Sequence, residues 1–151
     1  MRHTFKRTQV INRPRSEVFD FFSDAANLEL LTPPFLRFSI LSDGPIPMEE
    51  GTLIDYQLSL YGIPFKWRTR IDVFEPEIRF TDTQLKGPYR YWHHLHEFKD
   101  VENGTEMVDV VDYEIPLGPV GNLARVLFVE RNLKTIFDYR RDTIAQYFEA
   151  S

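Results

Sequence analysis

The sequence predicts an α+β fold: a curved, seven-stranded antiparallel sheet closed around one long C-terminal helix, with two short helices between the first and second strands. Three observations predict it. Across residues 35–116 apolar and polar side chains alternate with period two, the signature of half-buried strands. Residues 119–150 return to a period near 3.6, an apolar stripe along a helix. The breaks between alternating runs, GIP, KGP and VENG, are short enough to join antiparallel neighbours. One apolar sheet face and one apolar helical stripe bury each other most simply if the sheet curls around the helix, and any space left between them is a cavity. No repeat, linker or low-complexity segment divides the chain, so residues 1–151 read as a single domain.

Taken in order, HTFKRTQVINR (3–13) sets Phe5, Val10 and Ile11 among β-branched neighbours and stops at Pro14, a first strand. In SEVFDFFSDAANLELLTPP, Val18, Phe19, Phe22, Leu28 and Leu31 recur near helical spacing. Ser16 is the candidate N-cap, Ser23 and Asp24 split the segment into two short helices, and the proline pair from Pro33 ends it. Six strands follow: LRFSILS, TLIDYQLSLYG, FKWRTRIDVFEP, IRFTDTQLKGP, YRYWHHLHEFKD and TEMVDVVDYEIP. In the last segment Leu123, Val126, Leu133, Phe137, Ile144 and Phe148 share a stripe that also holds Glu130 and Arg140. Its length, about 30 residues, gives a helix of about 45 Å, with Pro119 placed in the first turn and Gly118 and Gly121 loosening the entry.

Composition excludes several functions. The formal net charge is −5 and the basic residues are interleaved with acids, so nothing marks a nucleic-acid partner. No apolar run approaches the roughly 20 residues of a membrane span, and residues 1–15 are polar and alternating, unlike a signal peptide; the expectation is a cytoplasmic protein without integral membrane association. Without cysteine, only His and carboxylates remain as metal donors. The 15% aromatic share suits a tight core or the lining of an apolar cavity.

The densest chemistry lies in YWHHLHEF, residues 91–98, with three of the four histidines. Strand alternation sends Trp92, His94, His96 and Phe98 to one face and Tyr91, His93, Leu95 and Glu97 to the other; the first set is bulkier and more apolar, so it is assigned to the concave side. If VENG closes the next hairpin as a four-residue loop, Asp109 lies opposite His96 and Val111 opposite His94, with Met107 and Tyr113 on the same face. A tight turn at Asn103 and Gly104 would instead put Asp109 beside Phe98. Read as chemistry, Asp109 would fix the tautomer of His96, a general base. Read as a metal site, His94, His96 and Asp109 are three donors on one face, but buried polar groups more often bond one another, so no metal and no cofactor is expected.

Asp82 and Gln84 share a strand side with Phe80, placing them on the same wall if that side is concave. Trp67, Thr69, Ile71 and Val73 form an apolar stripe beside Ile54, Tyr56 and Leu58, and Tyr56 and Tyr113 offer hydroxyl anchors. Arg140 either pairs inward, with a ligand carboxylate, Asp109 or Glu130, or packs its stem on the sheet while its head reaches water. Leu30, Leu31, Pro33, Pro34 and Phe35 would form an apolar lip, a cavity gate or a homodimer patch, or else pack onto the sheet.

Over the full chain the element order, and in particular NLELLTPPFLRFSIL, EGTLIDYQLSLYGIPFKWRTRI, RFTDTQLKGPYRYWHHLHEF and PLGPVGNLARVLFVERNLKTIFDYRR, resembles small stand-alone bacterial members of the START-like or SRPBCC superfamily, in its polyketide cyclase/dehydrase-like branch. The resemblance implies a helix-grip fold and binding of a small hydrophobic molecule such as a lipid, an isoprenoid or a polyketide-like aromatic. The residues expected around it are Trp92, His94, Phe98, Tyr56, Trp67, Asp82, Gln84, Val111, Tyr113, Phe137 and Arg140. The alternatives are a cyclase or dehydratase working through His96 and Asp109, and a protein-interaction module whose cavity is filled by its own side chains.

Overall fold

The computed structural model describes residues 2–43, 45–60, 62–116 and 129–150. Strand β1 (His3–Ile11) leads into helices α1 (Arg15–Phe22) and α2 (Asn27–Leu31), then a 3-10 turn (Pro34–Leu36). Strands β2 (Ser39–Ile40), β3 (Leu53–Leu60), β4 (Ile63–Glu75), β5 (Arg79–Lys86), β6 (Tyr91–Val101) and β7 (Gly104–Glu114) follow, and helix α3 (Glu130–Ala150) ends the chain. The strands make one antiparallel sheet in the order β1-β7-β6-β5-β4-β3-β2, so β1 and β2 are its two edges.

Proline does much of the punctuation. Pro14 occupies the N-cap of α1 with φ −58° and ψ 147°, and no side chain caps that end; Ser16, expected as the cap, lies inside the helix. Pro33 and Pro34 stop α2 and start the 3-10 turn, whose Leu36 is buried and whose next residue, Arg37, takes a left-handed φ of 49°. An extended strand cannot run through that conformation, so the expected strand over 36–42 shrinks to the two residues of β2. In β4 the register shifts between Ile71 and Val73. The bulge changes strand parity, so Phe74 packs with the buried clusters, against Phe19 and Phe80, in place of the expected Val73.

Helix α3 buries Leu133, Phe137, Arg140, Ile144 and Phe148 against the concave face, while Glu130 is exposed and not part of that stripe. Its 21 residues span about 31 Å. The earlier turns expected around Gly118, Pro119, Gly121, Leu123 and Val126 lie outside the described residues. Side chains of β1 and the turn after it stitch the helix along its length: Arg7 to Asp138 at 2.8 Å, Gln9 to the Arg141 carbonyl and Arg13 to the Phe148 carbonyl. Helix α1 drives Phe19 and Phe22 against Phe98 of β6. The anticipated apolar lip is divided: Leu31 and Pro33 pack inward, and Leu30 and Phe35 remain exposed.

Candidate functional site

Between the sheet, α3 and the short helices lies a cavity of about 170 Å³, lined mainly by apolar side chains. Strand β6 supplies its spine. Trp92, His94, His96 and Phe98 succeed one another on the concave face, with His94 and His96 buried. At one end Trp67 stacks near Tyr56 and meets Trp92 edge-on, with Tyr89 alongside. At the other Phe80 stacks on His96 at 4.2 Å and continues into Phe98 and Phe19. The histidines thus sit between two aromatic walls.

The β6–β7 hairpin turns through Glu102 and Asn103, Asn103 taking φ 66°, with Val101 paired to Gly104. That register sets His96 opposite Asp109 and His94 opposite Val111, as the four-residue VENG loop requires; the alternative that puts Asp109 beside Phe98 is not formed. On the other side Asp82 is opposite His94 and Phe80 opposite His96. Yet both hydrogen bonds run diagonally. His94 Nε2 lies 2.8 Å from Asp109 Oδ1, and His96 Nε2 lies 2.9 Å from Asp82 Oδ2. His96 Nδ1 is 3.3 Å from Asp109 Oδ1 without hydrogen-bond alignment. Arg140 Nη2 donates to the same Asp109 oxygen at 3.4 Å, its guanidinium packed near Phe22 and Phe137. Arg140 is 8% exposed, so the reading in which its head reaches water is not the one realised.

Electrostatics separates the two imidazoles. Their rings stack at 3.7 Å, so they repel as a doubly protonated pair. Burial and the neighbouring His96 push His94 down to about 4 against the pull of Asp109 and Asp82, leaving it neutral. Burial also works against charge on His96, but the bonds and fields of Asp109 and Asp82 outweigh it and raise its pKa. Burial disfavours charge on Asp109, yet Arg140 and the two histidines hold its carboxyl well below the usual carboxylate range. Asp82 is lowered as well, burial being overcome by His96, His94 and Arg140. Burial and the facing Asp82 push the Tyr56 phenol well up, so it stays protonated.

The expected His96–Asp109 pair is a close contact and not an aligned hydrogen bond, which Asp109 makes with His94 instead. His96 is held through Nε2 by Asp82, while its Nδ1, 3.3 Å from Asp109 Oδ1, makes no aligned hydrogen bond. His94 is held through Nε2, and its Nδ1 has no hydrogen-bond partner among the described residues. Asp82, His94 and His96 bring possible ligand atoms within 4.8 Å of one another, but the ring planes are only 27° apart, which points the in-plane lone pairs side by side and not at one ion.

Of the residues expected at a ligand, Tyr56, Trp67, Asp82, Trp92, His94, Phe137 and Arg140 line the cavity. Phe98, Val111 and Tyr113 do not; they are buried in the clusters behind it. Gln84 is spent on a turn: its amide donates to the Tyr89 carbonyl at 2.7 Å and accepts the Tyr89 N–H, clamping KGP. Sequence reasoning missed Tyr89, Phe38 and Ile136, which also line the space. Tyr89 follows Pro88 in a turn, where period-two alternation gives no face.

A sheet gripping a helix over a cavity with one polar wall defines the class of small helix-grip proteins. The chain belongs to the polyketide cyclase/dehydrase and lipid transport family, whose model matches residues 11–138. No curated protein sequence matches it significantly. Among solved structures it is similar to the Zhui aromatase/cyclase of Streptomyces sp. R1128, with TM-score 0.77 at 15% identity over 99% of this chain and 94% of that one. TTHA0849 of Thermus thermophilus gives 0.72 at 18% identity over 98% of both chains. Ara h 8.0201 gives 0.67 at 15% over the whole of both. Among the described residues no helix is long and apolar enough to cross a membrane.

Proposed function

We propose that the protein reversibly binds a small, largely apolar molecule in the cavity between sheet and α3, with the Asp82–His94–Arg140 wall orienting it. The observation that carries this reading is the juxtaposition of about 170 Å³ of apolar space with a wall of buried polar groups. Burial of ligand surface supplies affinity, and the few polar groups supply orientation. Mass spectrometry of the purified protein under native and then denaturing conditions tests it, supplemented by titration with 1-naphthol read through Trp67 and Trp92 fluorescence. A released organic mass or saturable quenching is expected. Neither, in a folded sample, would sink the reading.

A second reading, proton transfer, rests on His94. Asp109 fixes the Nε2–H tautomer and leaves Nδ1 open, so Nδ1 can take a proton from carbon. With a pKa of about 4, it suits only an acidic C–H such as one between two carbonyls. Exchange of the ethyl acetoacetate methylene protons in D2O, followed by NMR, should be accelerated by the protein and not by its His94→Gln variant. Equal rates with both would leave binding alone.

A further inference from the structure

Three features of the cavity converge on one kind of occupant. We propose that it selects a compact, uncharged ligand of about one ring carrying a hydroxyl and a carbonyl-type oxygen, and turns away carboxylates and long chains. The inference rests on the binding reading and narrows it.

Size comes first. An engineered cavity of about 150 Å³ holds benzene, whereas pockets for drug-sized ligands run to roughly 300–1,000 Å³. The space here, about 170 Å³, belongs with the former. Packed aromatic rings, Trp67 against Trp92 and Phe80 against Phe98, stand at its two ends.

Charge comes second. His96 lies between two carboxylates, its Nε2 2.9 Å from Asp82 and its Nδ1 3.3 Å from Asp109 without an aligned hydrogen bond, a placement that favours the charged ring. With Arg140 positive, Asp82 and Asp109 negative and His94 neutral, the buried cluster is balanced when His96 is protonated and net negative when it is not. An anionic ligand would bring an unbalanced charge into it. Nor is Arg140 open as a two-pronged carboxylate receptor, because its Nη2 is turned to Asp109.

Hydrogen-bonding capacity comes third. Trp67 and Arg140, 5% and 8% exposed, line the cavity with Trp67 Nε1–H and Arg140 Nε–H lacking any partner among the described residues. Buried donors left unmade are costly, and a ligand oxygen would satisfy them. On the same wall His94 Nδ1 and Asp82 Oδ1, whose companion Oδ2 is taken by His96, are acceptors, and they call for a hydroxyl. A neutral molecule with one donor and one acceptor answers both sets; a hydrocarbon answers neither.

The test is a binding panel at pH 7 on the intact protein, by calorimetry and tryptophan fluorescence: 4-hydroxyacetophenone, acetophenone, 4-hydroxybenzoate and decanoate. The first should bind about tenfold more tightly than acetophenone, as one hydrogen bond implies, and at least as far ahead of the two carboxylates. Equal or tighter binding of 4-hydroxybenzoate would overturn the charge argument, and of decanoate the size argument. If no single-ring probe binds while native mass spectrometry releases a larger molecule, this inference falls and the binding reading stands. If nothing binds and nothing is released, both fall.

Discussion

His94 and His96 are two positions apart on one face of one strand, and their surroundings shift their pKa values in opposite directions. The pH dependence of stability follows by sign. His94 titrates at about 4 when folded and near 6.5 when unfolded, so between those values the unfolded chain binds the extra proton and stability falls as pH falls, by up to about 3 kcal/mol. Asp82 and Asp109, both lowered, contribute stability present above the unfolded carboxylate range and lost as pH falls through their folded values. His96, raised, acts oppositely: its contribution is present below 6.5 and is lost as pH rises through its folded pKa. Urea midpoints at pH 6.5 and 4.5 should therefore drop for the natural chain and drop less for His94→Gln; equal drops would contradict a neutral buried His94. Asp109 is 1% exposed and holds both His94 and Arg140, so Asp109→Ala strands a buried cation. The expected cost is about 3–5 kcal/mol, read as a lower urea midpoint at pH 7; a loss under about 1 kcal/mol would mean the cluster is not the interdependent unit described. Residue identities made this face legible: alternation put His94 and His96 on one side, and the four-residue VENG hairpin brought Asp109 to them. Which histidine meets which acid was not legible, because sheet twist and rotamer choice send both bonds to diagonal neighbours and not to the residues directly opposite.

At the scale of elements, the β6–β7 hairpin fixes the site, since a slip of one residue would turn Asp109 out of the concave face. Its turn has two demanding positions. Asn103 takes a left-handed φ of 66°, which Asn and Gly tolerate and β-branched residues do not. Gly104 lies against β1 so closely that an added Cβ would press into the carbonyl oxygen of Ile11. Gly104→Ala should lower stability by about 1–3 kcal/mol, while Asn103→Gly stays within about 0.5 kcal/mol, both measured by denaturant unfolding. A harmless Gly104→Ala would show that β1 and β7 have room to part at this end. Six alternating runs and their breakers were readable because each period persists over several residues. The shortening of β2 and the parity change in β4 were not, since one left-handed Arg37 and one bulge leave no periodic trace.

For the molecule as a whole, the switch from period two to period 3.6 carried the architecture, whereas the volume between the layers depends on how Trp67, Phe80 and Phe137 are rotated, which no period records. Occupation of that volume couples to stability. A ligand at 100 times its Kd stabilises by about 2.7 kcal/mol, roughly 5–10 °C in Tm for a chain this long. Saturating 4-hydroxyacetophenone should raise Tm by that order in a thermal scan, and no rise under conditions that quench tryptophan fluorescence would place the probe outside the folded core. The pairing of β1 with β7 has a further consequence, one of time. Thr4 bonds to Asp112, 108 positions further along, so the first strand made has its partner among the last. At about 5–20 residues per second on the ribosome, β1 waits on the order of 5–20 s for β7, and longer still for the helix that Arg7 and Arg13 hold. The alternation of exposed Thr4, Lys6 and Thr8 with the half-buried residues between them keeps that side of the waiting strand polar up to the exposed Val10, a guard against the wrong partners a nascent edge would otherwise meet.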